Sequence, residues 1–296
     1  MARVAVVTDS LSCLPREMVE KHGIRIVPII ISIMGKTYRD WIDITPTQAY
    51  ELFLKDPDSF KTSPSSPPMY EEVFREVGRG GHDILCVSVS SRLSTSCHVA
   101  EMAAKTVMKE LPGNRIVVVD SQTVTAAEGL VVEAAARAAC AGKDLDAAAA
   151  AAAEVRGKVT FLAVLDTIRH VYRTGRVPKI AAQAGAVLHI RPILTSSGGI
   201  VRMASLARNM RQGIDKVLKM MRTRLGTAPA RVAVMHAYAP EEGEKLKERI
   251  ASEFNCCDLW LGEFSPVMGY ATGTGALGVA FYRDGGATAP RTHRLA

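Results

Sequence analysis

Short apolar runs alternate with amphipathic stretches over the first half of the chain. The runs are rich in β-branched residues and are continuous, which is typical of strands that are covered on both faces of a parallel sheet. Apolar positions at helical spacing fill the intervals between them. We predict strands over 3–7, 24–33, 84–89 and 115–119, and helices over 15–22, 69–79, 94–110, 125–141 and 147–153.

The character of the sequence changes after about residue 157. The pattern there predicts short strands over 159–165, 186–195, 199–204, 231–236, 259–264 and 277–282, and helices over 209–224 and 240–253. A Ser-Ser-Gly-Gly segment at 196–199 predicts a hairpin between two of these strands. We therefore predict an α/β fold: a three-layer N-terminal domain over 1–157 with a mostly parallel sheet, a smaller α+β domain over 158–283, and a frayed tail over 284–296.

Clusters of hydroxyl side chains follow several of the predicted strands. The run Ser90–Ser96 stands where a buried strand gives way to a helix, and a second run, Lys61–Pro68, precedes another helix. Two Asp-Ser pairs, at 9–10 and 120–121, close further strands. The carboxyl ends of parallel strands meet at one edge of a sheet, so these clusters are expected to share a crevice. Free N–H groups at the start of a helix suit a carboxylate or phosphate there, and simple helix capping is the alternative interpretation.

These residues carry a resemblance to the DegV family that covers nearly the whole chain. The resemblance implies a two-domain protein that binds a long-chain fatty acid such as palmitate and, in some members, presents it to a separate fatty acid kinase. It also implies that Thr62 and Ser94 hold the carboxylate, helped by Ser63 and the backbone of Thr95, with the acyl chain between the domains. The motifs, in order, are Thr8-Asp9-Ser10, Tyr38-Arg39-Asp40, Lys61-Thr62-Ser63, SSRLSTS at 90–96, VVVDS at 117–121, TGR at 174–176, HIRPIL at 189–194 and GTGALGVAF at 273–281.

Three positions depart from the family pattern. Ser-Gly-Thr in the family reads Ser94-Thr95-Ser96 here, and Thr-Ser-Gln-Pro-Ser reads Thr62-Ser63-Pro64-Ser65-Ser66. The family's Gly-Thr-His-x-Gly-Pro-Gly reads GYATGTG at 269–275, so Ala271 replaces a histidine. In members that work with a kinase, that histidine lies near the carboxylate. Ala271 therefore predicts lipid binding without efficient phosphoryl transfer.

Charge is concentrated in the second half of the chain. Between residues 158 and 224, thirteen Lys and Arg face only Asp166 and Asp215. The stretch holds too few aromatic residues for base stacking, so we predict a phosphate-bearing partner or transient contact with an anionic membrane, and no nucleic acid. Arg176 is expected near the ligand because it lies in the TGR motif, and Arg202 is a second candidate. Asp9 and Ser96 complete the predicted ligand-binding set.

Composition predicts a cytoplasmic protein. The six cysteines form no CxxC pair and have no histidine at ligand spacing, which argues for reduced thiols and against a zinc site. The chain reaches its first polar turn too soon for a signal peptide, and no segment has the ~20 apolar residues of a membrane span. We expect no metal and no cofactor other than the bound lipid.

The alternative function is a Mg²⁺-dependent phosphotransferase or a hydrolase. Asp9, Asp40, Asp43 and Asp120 stand at strand ends or in loops, where carboxylates often bind Mg²⁺. However, the chain has no GxxxxGK[ST] loop and no GxSxG motif, and the sequence places no general base beside the hydroxyl clusters. A non-catalytic carrier is the favoured prediction.

Overall fold

The computed structural model describes residues 3–166 and 190–285. Arg176, the first part of the strand predicted over 186–195 and most of the predicted tail lie outside these ranges. Within them, no helix is long and apolar enough to cross a bilayer.

The first sheet has four strands in the order β2-β1-β6-β7, and every neighbouring pair is parallel. Alternate side chains face opposite layers: Val7 and Cys86 pack against α3 and α4, whereas Val6 and Leu85 belong to the core that includes α5 and α6. The three-layer α/β fold with a mostly parallel sheet is confirmed. The elements are β1 Arg3–Asp9, α1 Arg16–His22, β2 Arg25–Val27, α3 Pro67–Arg79, β6 His82–Ser88, α4 Ser96–Glu110, β7 Ile116–Asp120, α5 Ala126–Cys140 and α6 Leu145–Lys158.

The single strand predicted over 24–33 is wrong, because the segment forms two strands in different sheets. Pro28 lies between them and has no N–H with which to continue a ladder. The second strand, β3, pairs antiparallel with β4 and β5 in a small sheet that sequence periodicity does not predict. The same region contains a helix, α2, that begins with a Thr45–Gln48 capping box. These elements are β3 Ile30–Ile33, β4 Lys36–Arg39, α2 Pro46–Lys55 and β5 Lys61–Ser63.

The third sheet has six strands in the order β10-β9-β8-β13-β11-β12. One face packs against α7 and α8. Gly198 and Gly199 form the predicted hairpin turn, and both have left-handed backbones with φ of 57° and 80°. The elements are β8 Thr160–Val164, β9 Arg191–Ser197, β10 Ile200–Ala207, α7 Met210–Leu225, β11 Ala230–His236, α8 Pro240–Glu253, β12 Cys256–Glu263, α9 Pro266–Thr272 and β13 Leu277–Arg283.

Helix α5 packs between the two larger sheets. Eleven successive residues, from Ala126 to Ala136, are buried, and the core around them takes side chains from both sheets. A helix buried on all sides needs mostly apolar or small residues, which the Ala- and Val-rich sequence supplies, with Glu128 and Glu133 as the buried exceptions. The domain boundary at 157/158 stays a prediction, because the two sheets share this core.

Candidate functional site

A cavity of about 410 Å³ lies at the carboxyl edge of the first sheet. Its walls come from the segments after β1, β6 and β7, from β5, from α9 and from strands of the six-stranded sheet. Its size is within the ~300–1,000 Å³ typical of small-molecule sites. Most of the wall is apolar: Leu11, Ile29, Phe60, Pro64, Val89, Leu93, Val124, Phe161, Ala163, Leu194, Val201, Val267 and Met268.

Thr62 and Ser63 reach this cavity from β5 of the small sheet. Thr62 is paired with Ile31 of β3 and is half-buried. Its hydroxyl forms no hydrogen bond with the described residues. Lys61, on the same strand, also lines the cavity and is its one cation within the described ranges.

Ser94 lines the cavity from the loop before α4, and its neighbour Ser96 orients it. The Ser94 hydroxyl oxygen accepts a hydrogen bond from the Ser96 amide at 3.2 Å, and the two hydroxyl oxygens lie 2.8 Å apart. If the buried Ser96 hydroxyl donates across that distance, both acceptor sites of the Ser94 oxygen are filled and its own proton points elsewhere. Ser94 thus supports the helix start, and in the arrangement in which Ser96 is the donor its own proton is available to an anion.

We expect Ser96→Ala to weaken binding of an anionic ligand by about three- to tenfold, because the Ser94 proton loses its orientation. Titration of the purified protein with palmitate would measure this. Ser252→Ala removes an exposed hydroxyl that bonds only to the Arg249 carbonyl oxygen, and serves as the matched control. An affinity that Ser96→Ala leaves unchanged would contradict this role.

Thr95 and Asp9 have structural positions in the site. Thr95 is exposed, with φ −81° and ψ 0°, so the side chain that replaces the family glycine fits without backbone strain. Asp9 is fully buried and accepts hydrogen bonds from the amides of Leu11 and Val89 and from the Ser88 hydroxyl. Leu11 and Val89 line the cavity, whereas Asp9 does not. Asp9 therefore shapes two loops of the wall.

Burial raises the pKa of Asp9. Burial and the charge of Asp9 together raise the pKa of Glu128 well above its usual range. Glu128 accepts a hydrogen bond from Thr8 at 3.4 Å and is fully buried. Burial therefore favours the neutral form of Glu128.

Arg202 lies away from the cavity. It is exposed on β10, whereas its neighbour Val201 is buried and lines the wall. Successive side chains of a strand point to opposite faces, so the register that buries Val201 turns Arg202 outward. Arg176 falls outside the described residues.

The four aspartates considered as Mg²⁺ ligands already form hydrogen bonds or ion pairs with other protein groups. Asp40 is buried and accepts hydrogen bonds from Ser10 and Ser265, both at 2.8 Å, and burial raises its pKa to about 6. Asp43 pairs with Arg39, and Asp120 accepts from Ser91 and Gln122. Within the described ranges, no three His, Cys, Asp or Glu side chains are grouped to hold a metal. These bonds tie loops together around the cavity.

Hydrophobic periodicity did not predict helix α9, which carries Ala271, the position that departs from the family histidine. Met268, Tyr270 and Ala271 line the cavity, and the Tyr270 ring stacks on Phe60 with centroids 5.2 Å apart. Asp40 anchors the start of this helix through Ser265, and Gly269 packs so closely on the Tyr50 ring that a Cβ there would clash with it. The helix is seven residues long, too short for a clear periodic signal, although the family motif at 269–275 marks the segment.

Comparisons with known proteins agree with this architecture. A family model described as "Uncharacterised protein, DegV family" matches residues 3–284. A DegV domain-containing protein from Clostridium perfringens is 31% identical over 284 residues, which are 95% of this chain and 99% of the relative.

Solved structures give the same result. A DegV family protein from Thermus thermophilus, described by its fatty acid binding, is 29% identical with a TM-score of 0.86, covering 95% of this chain and 99% of the other. A stearic-acid-binding protein from Eubacterium ventriosum is 25% identical with a TM-score of 0.83, covering 96% and 98%. Since the family model spans nearly all of the sequence, the chain belongs to the DegV family.

Proposed function

We propose that the cavity binds a long-chain fatty acid, with the carboxylate at Thr62 and Ser94 and the acyl chain along the apolar wall. The observation that carries this proposal is that the hydroxyl-bearing residues Thr62 and Ser94, which come from different elements of the fold, line the same largely apolar cavity. Relatives of the same fold, from Thermus thermophilus and Eubacterium ventriosum, are described as binding fatty acids.

The energetics favour retention of such a ligand. Burying the tail of palmitate at ~0.8 kcal/mol per CH₂ offers on the order of 10 kcal/mol before entropy losses. The carboxylate contacts then mainly orient the ligand and select for an acid. Ser63, Ser96 and the backbone of Thr95 support that end of the site, and Lys61 adds a positive charge.

Native mass spectrometry of the purified protein, followed by lipid extraction, tests the proposal directly. We expect a mass increment that matches one fatty acid per chain. Protein that carries no lipid and does not take up palmitate would contradict it. The same protein showing phosphotransfer or hydrolysis without lipid would favour the alternative function, which no contact described above specifically supports.

We propose further that the protein is a carrier and not itself a catalyst, and that its basic surface meets anionic partners. Arg176 stays a predicted ligand contact, and the cytoplasmic location and the kinase partner stay predictions.

Arg202 is better assigned to the outer surface. Further exposed cations in this region are Arg208, Arg211, Lys219, Arg222 and Arg224.

Binding to anionic membranes is expected to weaken as salt rises. Each exposed cation near an anionic surface contributes about 1 kcal/mol at low ionic strength, and screening removes most of it. We expect Arg208→Glu with Arg211→Glu to reduce sedimentation with phosphatidylglycerol vesicles at least about fivefold. Phosphatidylcholine vesicles are the control, and binding that neither salt nor the double variant changes would exclude this surface.

A further inference from the structure

We propose that the Tyr270 hydroxyl donates a further hydrogen bond to the carboxylate held at Thr62 and Ser94, so that Tyr270 helps the cavity to select for an acid. The inference rests on the fatty acid site proposed above. Tyr270 lies on α9, and its half-buried side chain lines the same cavity as Thr62 and Ser94.

The Tyr270 hydroxyl is an unused donor. It forms no hydrogen bond with the described residues, and it is not among the oxygen atoms in those ranges that are buried without a partner, so it remains accessible. Tyr50, which also contacts α9, differs: its buried hydroxyl donates to the Phe264 carbonyl oxygen at 3.1 Å. A tyrosine hydroxyl beside an apolar wall normally finds an acceptor, and a ligand oxygen in the cavity supplies one for Tyr270.

Aromatic contacts fix the Tyr270 ring. The ring stacks on Phe60 with centroids 5.2 Å apart and an interplanar angle of 20°. It also meets Phe53 edge to face, with centroids 6.2 Å apart and an angle of 89°. Contacts of this kind contribute ~0.5–1.5 kcal/mol each beyond the buried area and hold the ring in one orientation. The hydroxyl is therefore preorganised, because little freedom of the ring is lost when a ligand binds.

The small sheet brings this ring to the same side as Thr62. Thr62 is paired with Ile31, and paired residues of neighbouring strands project from the same face of a sheet. Ile31 and Phe60 belong to one apolar cluster, against which Tyr270 packs. Tyr270 and Thr62 thus share one face of this sheet. A carboxylate has two oxygens with about four acceptor sites, enough for Tyr270 in addition to the serine and threonine donors.

The helix that carries Tyr270 is anchored at two points. The Ser265 hydroxyl, just before the helix, donates to the buried Asp40 carboxylate at 2.8 Å. Gly269, the neighbour of Tyr270, packs directly on the Tyr50 ring. A seven-residue helix is not stable by itself, so these contacts keep the binding group in place.

This donor is a feature of the present chain and not of the family motif. Tyr270 and Ala271 stand where the motif has Thr-His, so the larger side chain is one position earlier. Both residues line the cavity. With Tyr270, Thr62 and Ser94, the acid end of the cavity is supplied by three neutral hydroxyl donors and the Lys61 charge.

Tyr270→Phe tests the proposal, because it removes the hydroxyl and keeps the ring that stacks on Phe60. We expect palmitate affinity to fall about five- to twentyfold, and affinity for hexadecan-1-ol to fall less than about threefold, since bonds to a charged acceptor are the stronger ones. The ratio of the two dissociation constants is the readout, because losses of tail contacts cancel in it. Tyr38→Phe is the matched control: Tyr38 packs on the same apolar cluster but is not among the described residues that line the cavity.

The carboxyl carbon of bound palmitate gives a readout that a purely structural role would not change. With an isotopic label at that carbon, its NMR chemical shift is expected to differ between the wild type and Tyr270→Phe, and to be the same in the wild type and Tyr38→Phe. An unchanged affinity ratio in a Tyr270→Phe protein that still binds palmitate would overturn the role of Tyr270 and leave the fatty acid proposal standing. An equal fall for acid and alcohol would also overturn it, because the ring would then act on the tail. A wild type that takes up no palmitate would instead overturn the fatty acid proposal itself.

Discussion

Replacing Thr62 and Ser94 together by alanine is expected to lower palmitate affinity about 5- to 150-fold, or about 1–3 kcal/mol. The reason is that the carboxylate would enter the cavity without the two hydroxyl donors that line it. Apolar contacts of the acyl chain remain, so binding should weaken without disappearing. Competition against a fluorescent fatty acid would measure the change.

Two controls keep this result interpretable. Thr106→Ala removes an exposed hydroxyl that bonds only to the Met102 carbonyl oxygen, and should leave affinity unchanged. Hexadecan-1-ol has the same chain length without the carboxylate, so its affinity should be similar in the wild type and the double variant. Unchanged palmitate affinity in a folded double variant would remove both residues from the site.

Introducing a histidine at position 271 is expected to increase acyl-phosphate formation about 10- to 100-fold when a fatty acid kinase from a histidine-bearing relative is supplied. Ala271 lines the cavity, so an imidazole there can reach a bound ligand. The resemblance to the DegV family implies that the family's histidine positions the carboxylate. Misplacement of a reacting group by about 1 Å costs on the order of 100-fold in rate. Affinity should change far less than turnover, as for a group that acts mainly in the transition state.

The measurement is acyl-phosphate production at saturating palmitate by the wild type and Ala271→His. Ala271→Asn is the matched variant, since it adds a polar group of smaller size without an imidazole. A wild-type turnover that already equals that of the relative's own carrier would contradict the prediction. An equal gain in Ala271→Asn would show that any polar group suffices.

The local pattern of apolar and polar residues predicted the order of most helices and strands in this chain. Continuous β-branched runs predict β1, β6 and β7, and helical spacing predicts α3, α4 and α5, because both signals arise between residues that are close in sequence. The pattern failed over 24–33, where one apolar run contributes strands to two sheets. It also missed β4, β5 and α9, which are short, and the ten-residue helix α2.

The sequence by itself also predicted the candidate donors. A hydroxyl cluster after a predicted strand pointed to Ser94, a second cluster before a predicted helix pointed to Thr62 and Ser63, and the DegV motifs gave their order. What sequence could not decide is which way each side chain faces. Arg202 and Val201 are neighbours, and only the pairing of β10 with β9 decides which of them turns outward.

Tertiary structure alone decided which of the distant groups meet. Ser94 and Thr62 line the same cavity although they belong to different sheets. Ser94 lies in the loop between β6 and α4, and Thr62 lies on β5, which pairs with β3 in the small sheet. Asp9 points inward and holds loops together, since one of its oxygens accepts hydrogen bonds from the Ser88 hydroxyl and from the Val89 amide, which is 80 positions away. Such contacts follow from strand order and sheet packing, which local spacing does not encode. The sequence therefore determined most of the elements and the candidate donors, and long-range packing determined which of those donors line the cavity.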